Sequence, residues 1–237
     1  MKKVVSLLLA AFFLVTASAQ KTIRDANAEV RNASGFHAIE VSGGIDLYLS
    51  NGDEAVAVSA NDKDVRDRIV TEVKNGVLKI YYDWKKGMKF NLKGTSLKAY
   101  VSFKNLDGLS ASGGSDVKVD GVIKSDRLNL SLSGGSDFSG NVAAQSMKID
   151  QSGGSDCDLG GTATDLRIDA SGGSDFNGYN LVTDNCIIQA SGGSDIEITV
   201  NKELYAEASG ASDVRWKGKA TVKGAHASGS GSVSHRS

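Results

Sequence analysis

Proline is absent from all 237 residues, and only 6% of the residues are aromatic. The scarcity of large rings argues against a wide globular core and suits a slender one built from small and aliphatic side chains. Glycine is plentiful, at 28 residues, yet without proline it makes neither a collagen-like repeat nor a proline-rich linker. No charge of one sign dominates. Lysine and arginine number 27 against 28 aspartate and glutamate, and the net charge becomes −3 once Lys2 and Lys3 are set aside. Such a chain has no electrostatic footprint for nucleic acid. Beyond the N-terminus no apolar stretch is long enough for a membrane span.

The N-terminus itself reads as an export signal. Lys2 and Lys3 give the positive start, Val4 to Val15 the apolar run, and Ala17-Ser18-Ala19 the small-residue cleavage pattern. Residues 1–19 are therefore expected to be removed. No cysteine follows the cleavage point, so a lipid-anchored start is not expected. The localisation that follows is exported: periplasm, cell surface or secreted.

Residues 20–35 are polar and patternless, an extended lead-in. Alternation begins at Phe36, imperfectly through Val41, then cleanly at Ile45, Leu47 and Leu49. Asn51-Gly52 and Asn75-Gly76 are tight-turn signals before Val56 and Val77. Asn61 and Asp62 can cap a short helix with Val65, Ile69 and Val73 on one face. The stretch Asp83 to Gly94 is polar and basic, a loop or edge strand. Leu97, Ala99, Val101 and Phe103 form one more alternating strand.

A repeated phrase then takes over. Ser-Gly-Gly-Ser-Asp starts at Ser112, Ser133, Ser152, Ser171 and Ser191; a near copy starts at Ser209, a worn copy at Ser228 and an early variant at Ser42. From Ser112 to Ser228 the intervals are 21, 19, 19, 20, 18 and 19 residues. The residues before and after each phrase are apolar at fixed offsets: Leu128, Met147, Leu166, Cys186 and Leu204; Leu130, Ile149, Ile168 and Ile188; Val117, Phe138, Cys157, Phe176, Ile196 and Val214. Each unit thus reads as a strand, a glycine corner and a second short strand. A unit that short cannot bury its apolar side alone, whereas stacked units can. The fold class expected is all-β: a parallel β-helix or β-prism solenoid with coils of about 19 residues, with an N-terminal strand-rich cap. Residues 36–104 would be the cap, 105–232 the repeats and 233–237 a polar tail. At roughly 4.8 Å per coil, six intervals give a column of about 29 Å.

The glycines suit a sharp corner, since positive φ is cheap only for glycine. Ala211 replaces the second glycine in the sixth copy, so that place is expected to accept a Cβ. Cys157 and Cys186 take inward positions on different strands about one and a half coils apart. That exceeds the Cα separation of under ~7 Å that a disulfide needs, so both are expected to be free, buried thiols.

The unit Phe36 to Leu49 with Ser42-Gly43-Gly44-Ile45-Asp46, the turn Asn75-Gly76 with Val77 to Ile80, and the serial phrases resemble the putative autotransporter adhesin, head GIN domain family. The resemblance covers roughly residues 36–232. Asp46 stands where a Gly-Ile-Asn motif would carry asparagine. The resemblance implies a β-helical or prism-like fold in an exported protein and a role in surface adhesion.

The candidate site is the series Asp116, Asp137, Asp156, Asp175, Asp195 and Asp213. Stacked about 5 Å apart, like charges repel by about 0.8 kcal/mol in water and about 3 kcal/mol at an effective dielectric of 20. The first explanation is structural: each carboxylate accepts hydrogen bonds from corner N–H groups beside a serine hydroxyl. A row of Ca²⁺ ions is the cofactor reading, though the calcium-roll period is half of this one. A pair of glycosidase carboxylates would need unlike environments, which a ladder does not supply. His37, His226 and His235 lack metal-ligand spacing, and no serine sits in a nucleophile elbow. Trp84, Lys85, Lys86 and Lys89 read as a solvated edge before a contact loop, and Trp216 as a cover for the column end. The expected function is a non-enzymatic adhesin-like module that binds an envelope protein or glycan, or a further copy of the chain, through an extended face. The alternatives are a carbohydrate-binding or carbohydrate-cleaving β-helix, which would show a groove with non-repeating acidic and basic residues, and a cation-stabilised envelope protein.

Overall fold

The computed structural model of the chain describes residues 25–84 and 94–236. The expected targeting segment 1–19, the start of the lead-in, the loop residues Lys85, Lys86, Met88, Lys89 and Phe90, and Ser237 lie outside the described residues.

The N-terminal part contains β1 (Glu29–Arg31), β2 (Ala38–Ser42), β3 (Ile45–Asn51), β4 (Ala55–Ala60), the single-turn helix α1 (Lys63–Arg66), β5 (Ile69–Lys74), β6 (Val77–Tyr82), β7 (Leu97–Phe103) and β8 (Gly108–Ser112). The repeats form β9 (Val117–Leu132), β10 (Phe138–Gln151), β11 (Asp156–Ala170), β12 (Asp175–Ala190), β13 (Asp195–Ala208), β14 (Asp213–Lys217), β15 (Thr221–Ala227) and β16 (Ser232–His235). Together they make a nearly all-β solenoid of about seven turns with 19-residue spacing.

The repeat register is the one the apolar offsets require. Phe138 pairs with Val117 and Cys157, Cys157 with Phe176, Phe176 with Ile196, and Ile196 with Val214, all in parallel. Leu128, Met147, Leu166, Cys186 and Leu204 form a second file, and each is buried. Between corners, however, there is one long strand of 14 to 16 residues rather than two short ones. In β11 the alternation of buried and exposed residues lapses at Gly160–Gly161 and again at Thr164–Asp165. The strand bends there, and its pairing with β12 shifts register between Asp158 and Gly161. With the glycine corner, these two lapses mark three changes of direction in the β11 coil.

Both thiols are free and buried. Cys157 fills the small place between Phe138 and Phe176, and Cys186 lies between Leu166 and Leu204. Burial pushes both thiols up, so neither is a nucleophile at neutral pH.

The N-terminal part is built into the column rather than set on top of it. β2 pairs in parallel with β8 on one side (Ile39 with Leu109, Ser42 with Ser112) and with β6 on the other (Val41 with Ile80). β3 likewise lies between β9 and β7 (Leu47 with Val117, Ile45 with Leu97). The β2–β3 coil therefore sits between the β6–β7 layer and the first repeat. β4 and β5 then close the bottom by pairing antiparallel with β7 and β6. Part of the lead-in is ordered too: β1 runs antiparallel to β4, with Val30 opposite Ala57.

One expected element is wrong. Asp62 does cap α1, accepting from the amides of Asp64 and Val65. Only Val65 belongs to the helix; Ile69 and Val73 lie in β5. The run Ile69–Val73 is rich in β-branched residues, and the open edge of β6 offers it a full ladder of hydrogen bonds. At the other end, residues 233–235 of the expected tail continue the column as β16 on β14.

Candidate functional site

The corners place the site residues. In each phrase the second serine turns inward: Ser115, Ser136, Ser155, Ser174, Ser194 and Ser212 are fully buried. The Ser174, Ser194 and Ser212 hydroxyls donate back to the carbonyls of Ser171, Ser191 and Ser209, at 3.2, 2.9 and 2.8 Å. The aspartate that follows points outward. Corner amides donate to the neighbouring coil: Gly173 to Gly153 at 2.8 Å, Gly193 to Gly172 at 2.6 Å and Asp175 to Ser155 at 3.1 Å. Corner amides expected to meet the carboxylates also donate to inward serine hydroxyls, from Ile45 to Ser115 and from Ser115 to Ser136, and to carbonyls of the neighbouring coil.

The two glycines of a corner are not equivalent. The first is left-handed in every copy, for example Gly172 at φ 82°. The second is left-handed only at Gly44, Gly114 and Gly135. At Gly154, Gly173 and Gly193 the backbone is ordinary, and a built Cβ meets nothing nearer than 3.8 Å. Ala211 occupies that same place. Later corners therefore accept a Cβ there, as expected, whereas the earlier ones are strained by it.

All six candidate aspartates stand in one file. Asp156 pairs with Asp175, Asp175 with Asp195, and Asp195 with Asp213. Asp116 and Asp137 each precede the paired Val117 and Phe138, and Asp46 extends the file into the β2–β3 coil, one residue before Leu47 opposite Val117. Its C-terminal end is compensated. Arg215 reaches Asp213 at 2.6 Å and Asp195 at 3.3 Å, and the Ser232 hydroxyl donates to Asp213 at 2.6 Å. At the other end burial and then Asp116 raise the Asp46 carboxyl, while Lys118 and Lys98 oppose them. The middle is negative: burial, then Asp137, Asp175 and Asp158, hold the Asp156 carboxyl above its ordinary value. Arg215 and Lys118 carried no signal as partners in the sequence beyond falling at outward offsets next to the phrase. Among the described residues no three His, Cys, Asp or Glu side chains converge as ligands for a metal ion.

A shallow groove follows the file of first serines. One stretch, about 380 Å³, is lined by Asp150, Ser152, Asp169, Ser171, Gln189 and Ser191 among others. A second, about 270 Å³, continues from Gln189 and Ser191 to Glu207, Ser209, His226 and Ser228. Its charges are largely tied up: Lys148 with Asp150 and Arg167 with Asp169, both at 2.7 Å, and Tyr205 donating to Glu207 at 2.6 Å. A larger notch of about 780 Å³ lies at a different bend, with His37, Asp107, Lys124, Asp126 and Arg127 in its walls.

The remaining singled-out residues scatter. His37 contacts Asp107 at 2.8 Å. His226 lies against Tyr205 and His235 against the ring of Trp216, which is 8% exposed near the last turn. Trp84 packs edge-on against Tyr82 and stays 63% exposed. No described helix is long and apolar enough to cross a membrane.

A parallel column with a serine-glycine corner at every turn defines a class of stacked-coil domains. The chain belongs to the family described as "Putative auto-transporter adhesin, head GIN domain", whose profile matches residues 35–220. Solved structures share the fold. A "putative adhesin" from Bacteroides fragilis NCTC 9343 is 18% identical, with a TM-score of 0.78, and the match covers 88% of this chain and 96% of that one. A "putative adhesin" from Parabacteroides distasonis ATCC 8503 is 19% identical, with a TM-score of 0.69 and coverage of 88% and 96%. A "putative lipid binding protein" from the same strain is 22% identical, with a TM-score of 0.62 and coverage of 90% and 98%. No curated protein matches the chain.

Proposed function

We propose that the protein is an exported, non-enzymatic contact module that attaches to an envelope protein or glycan along one edge of its column. The adhesin description of the family and of its structural neighbours supports this class. The observation that carries the reading is the second corner glycine. Gly154, Gly173 and Gly193 are exposed, have ordinary backbone angles and have open space where a Cβ would stand. The fold does not require glycine there. A bare ridge between a serine file and a carboxylate file lets a partner come close to the backbone, which is one use of glycine at a surface. The file sets carboxylates at one register of successive coils, which suits repeated contact.

The test is a triple substitution of Gly154, Gly173 and Gly193 by glutamine. Circular dichroism and melting should match the parent, while retention on immobilised envelope fractions should drop at least fivefold. Equal retention of the folded variant would show that the ridge is not the contact surface.

A further inference from the structure

The notch at the bend beside β8 differs from the ridge in that its residues do not repeat. The chain reaches β8 from β7 by crossing the β2–β3 layer through residues 104–107. That crossing is a fixed wall. Leu106 is buried, the Asp107 amide donates to the His37 carbonyl at 2.9 Å, the Asn129 amide donates to the Asp107 carbonyl at 2.9 Å, and the His37 ring meets the Asp107 carboxylate at 2.8 Å. The first bend of the repeats, with Lys124, Asp126 and Arg127, stacks directly on that crossing, since Gly108 is in register with Asn129. Small side chains of the coils beyond, Ala143, Ala144 and Thr162, complete the lining; Lys124 is in register with Ala143, and Ala143 with Thr162.

The two cations of this bend differ from those further up the column. There Lys202 pairs with Asp184 at 2.8 Å and Lys223 with Glu203 at 3.2 Å. Among the described residues neither Lys124 nor Arg127 has a carboxylate within ion-pair distance, and both are exposed. A guanidinium fork and an ammonium beside a concave wall suit a planar carboxylate, which Arg127 can hold through two parallel hydrogen bonds. Asp126, the His37–Asp107 pair and the Gln145 amide stand around them as donors and acceptors. That mixture fits a ligand whose carboxylate is surrounded by hydroxyl groups, each of which both gives and takes a hydrogen bond. The volume of about 780 Å³ accommodates a short run of sugar rings rather than a polymer groove.

We propose that this notch binds a carboxylate-bearing saccharide, with Arg127 and Lys124 holding the carboxylate and Asp126, Asp107 and Gln145 reading its hydroxyls. The site rests on the reading of the chain as a contact module and names one ligand class for it. Binding here requires no metal and no covalent step.

The experiment is a titration of ¹⁵N-labelled protein with trigalacturonate, and in parallel with the neutral trisaccharide maltotriose, followed by amide chemical shifts. Shifts should gather at residues 105–107, 124–127 and 143–145 with trigalacturonate, and maltotriose should bind at least tenfold more weakly. Arg127→Gln, an exposed change that should leave the melt unaltered, should weaken trigalacturonate about tenfold, the loss expected of one charge-assisted contact. Lys223→Gln, on the far part of the column, should not. Absence of shifts at millimolar trigalacturonate, shifts placed elsewhere, equal binding of the two sugars, or an unaffected Arg127→Gln would each overturn the proposal. Because the ridge variant is read by retention on envelope fractions, failure at the notch is distinct from failure of the ridge.

Discussion

At Gly172 a Cβ would stand 2.6 Å from the Gly153 carbonyl oxygen, on a backbone with φ at 82°. One residue on, at Gly173, it would meet nothing within 4 Å, on an ordinary backbone. The two glycines look identical in the sequence, yet they answer different demands. Gly172→Ala should cost about 1–3 kcal/mol, from left-handed strain plus displacement of the neighbouring corner. Gly173→Ala should stay within about 0.5 kcal/mol of the parent. Urea melts of the two variants check this, and equal losses would show that the corner is uniform. Ala211 is the trace of the difference that was visible in the sequence. The split between early corners, with both glycines left-handed, and later ones, with only the first, was not visible. It depends on how each corner rests on the one before.

The carboxylate file is a property of the column, not of any one aspartate. Asp156 sits in the uncompensated stretch, where burial and three neighbouring carboxylates raise its carboxyl. A raised carboxyl means that the folded state binds the proton more readily than the unfolded chain does. The folded state therefore gains from this group as pH falls toward the ordinary aspartate value of about 3.9, and that gain is lost as pH rises through the raised folded value. Asp156→Asn should accordingly melt roughly 1 °C above the parent at pH 7, with the difference closing below about pH 4; the small size reflects an exposed group. Differential scanning calorimetry from pH 3 to 8 measures it, and a variant less stable at pH 7 would mean that the carboxylate holds the corner. In the same instrument millimolar Ca²⁺ should move the parent midpoint no more than an equal ionic strength of NaCl, because the file stacks carboxylates without converging three of them.

For the whole molecule, stability follows the number of neighbours each coil has. β10 to β13 are paired on both sides, whereas β15 pairs only with β13, β16 only with β14, and β1 only with β4. Amide exchange should be slowest in β11 and β12 and faster by at least two decades in β1, β15 and β16, since end coils open without breaking the column. Mass-spectrometric exchange resolves this, and uniform protection would show that the column unfolds as a single unit. The absence of proline fits the same picture. In a stacked column the amides donate to a neighbouring coil on one side or the other, and proline has no hydrogen to give.

The periodic sequence was enough to determine the repeat column. With apolar residues at fixed offsets from a glycine corner, one register alone buries Phe138, Cys157 and Phe176 together, and a slip by one residue would turn each outward. That register also kept Cys157 and Cys186 in separate files and put the aspartates in line. The tertiary structure decided what lacks periodicity. Ile69 and Val73 joined a strand because β6 had an open edge, an offer no local pattern records. The β2–β3 coil entered the stack between the β6–β7 layer and the first repeat, so that residues 104–107 cross it and bring Asp107 to His37 and both next to the coil of Lys124 and Arg127. Repeats fix their own neighbours through matching side chains, whereas a non-repeating contact between distant segments depends on the path of the backbone, which only the folded chain sets.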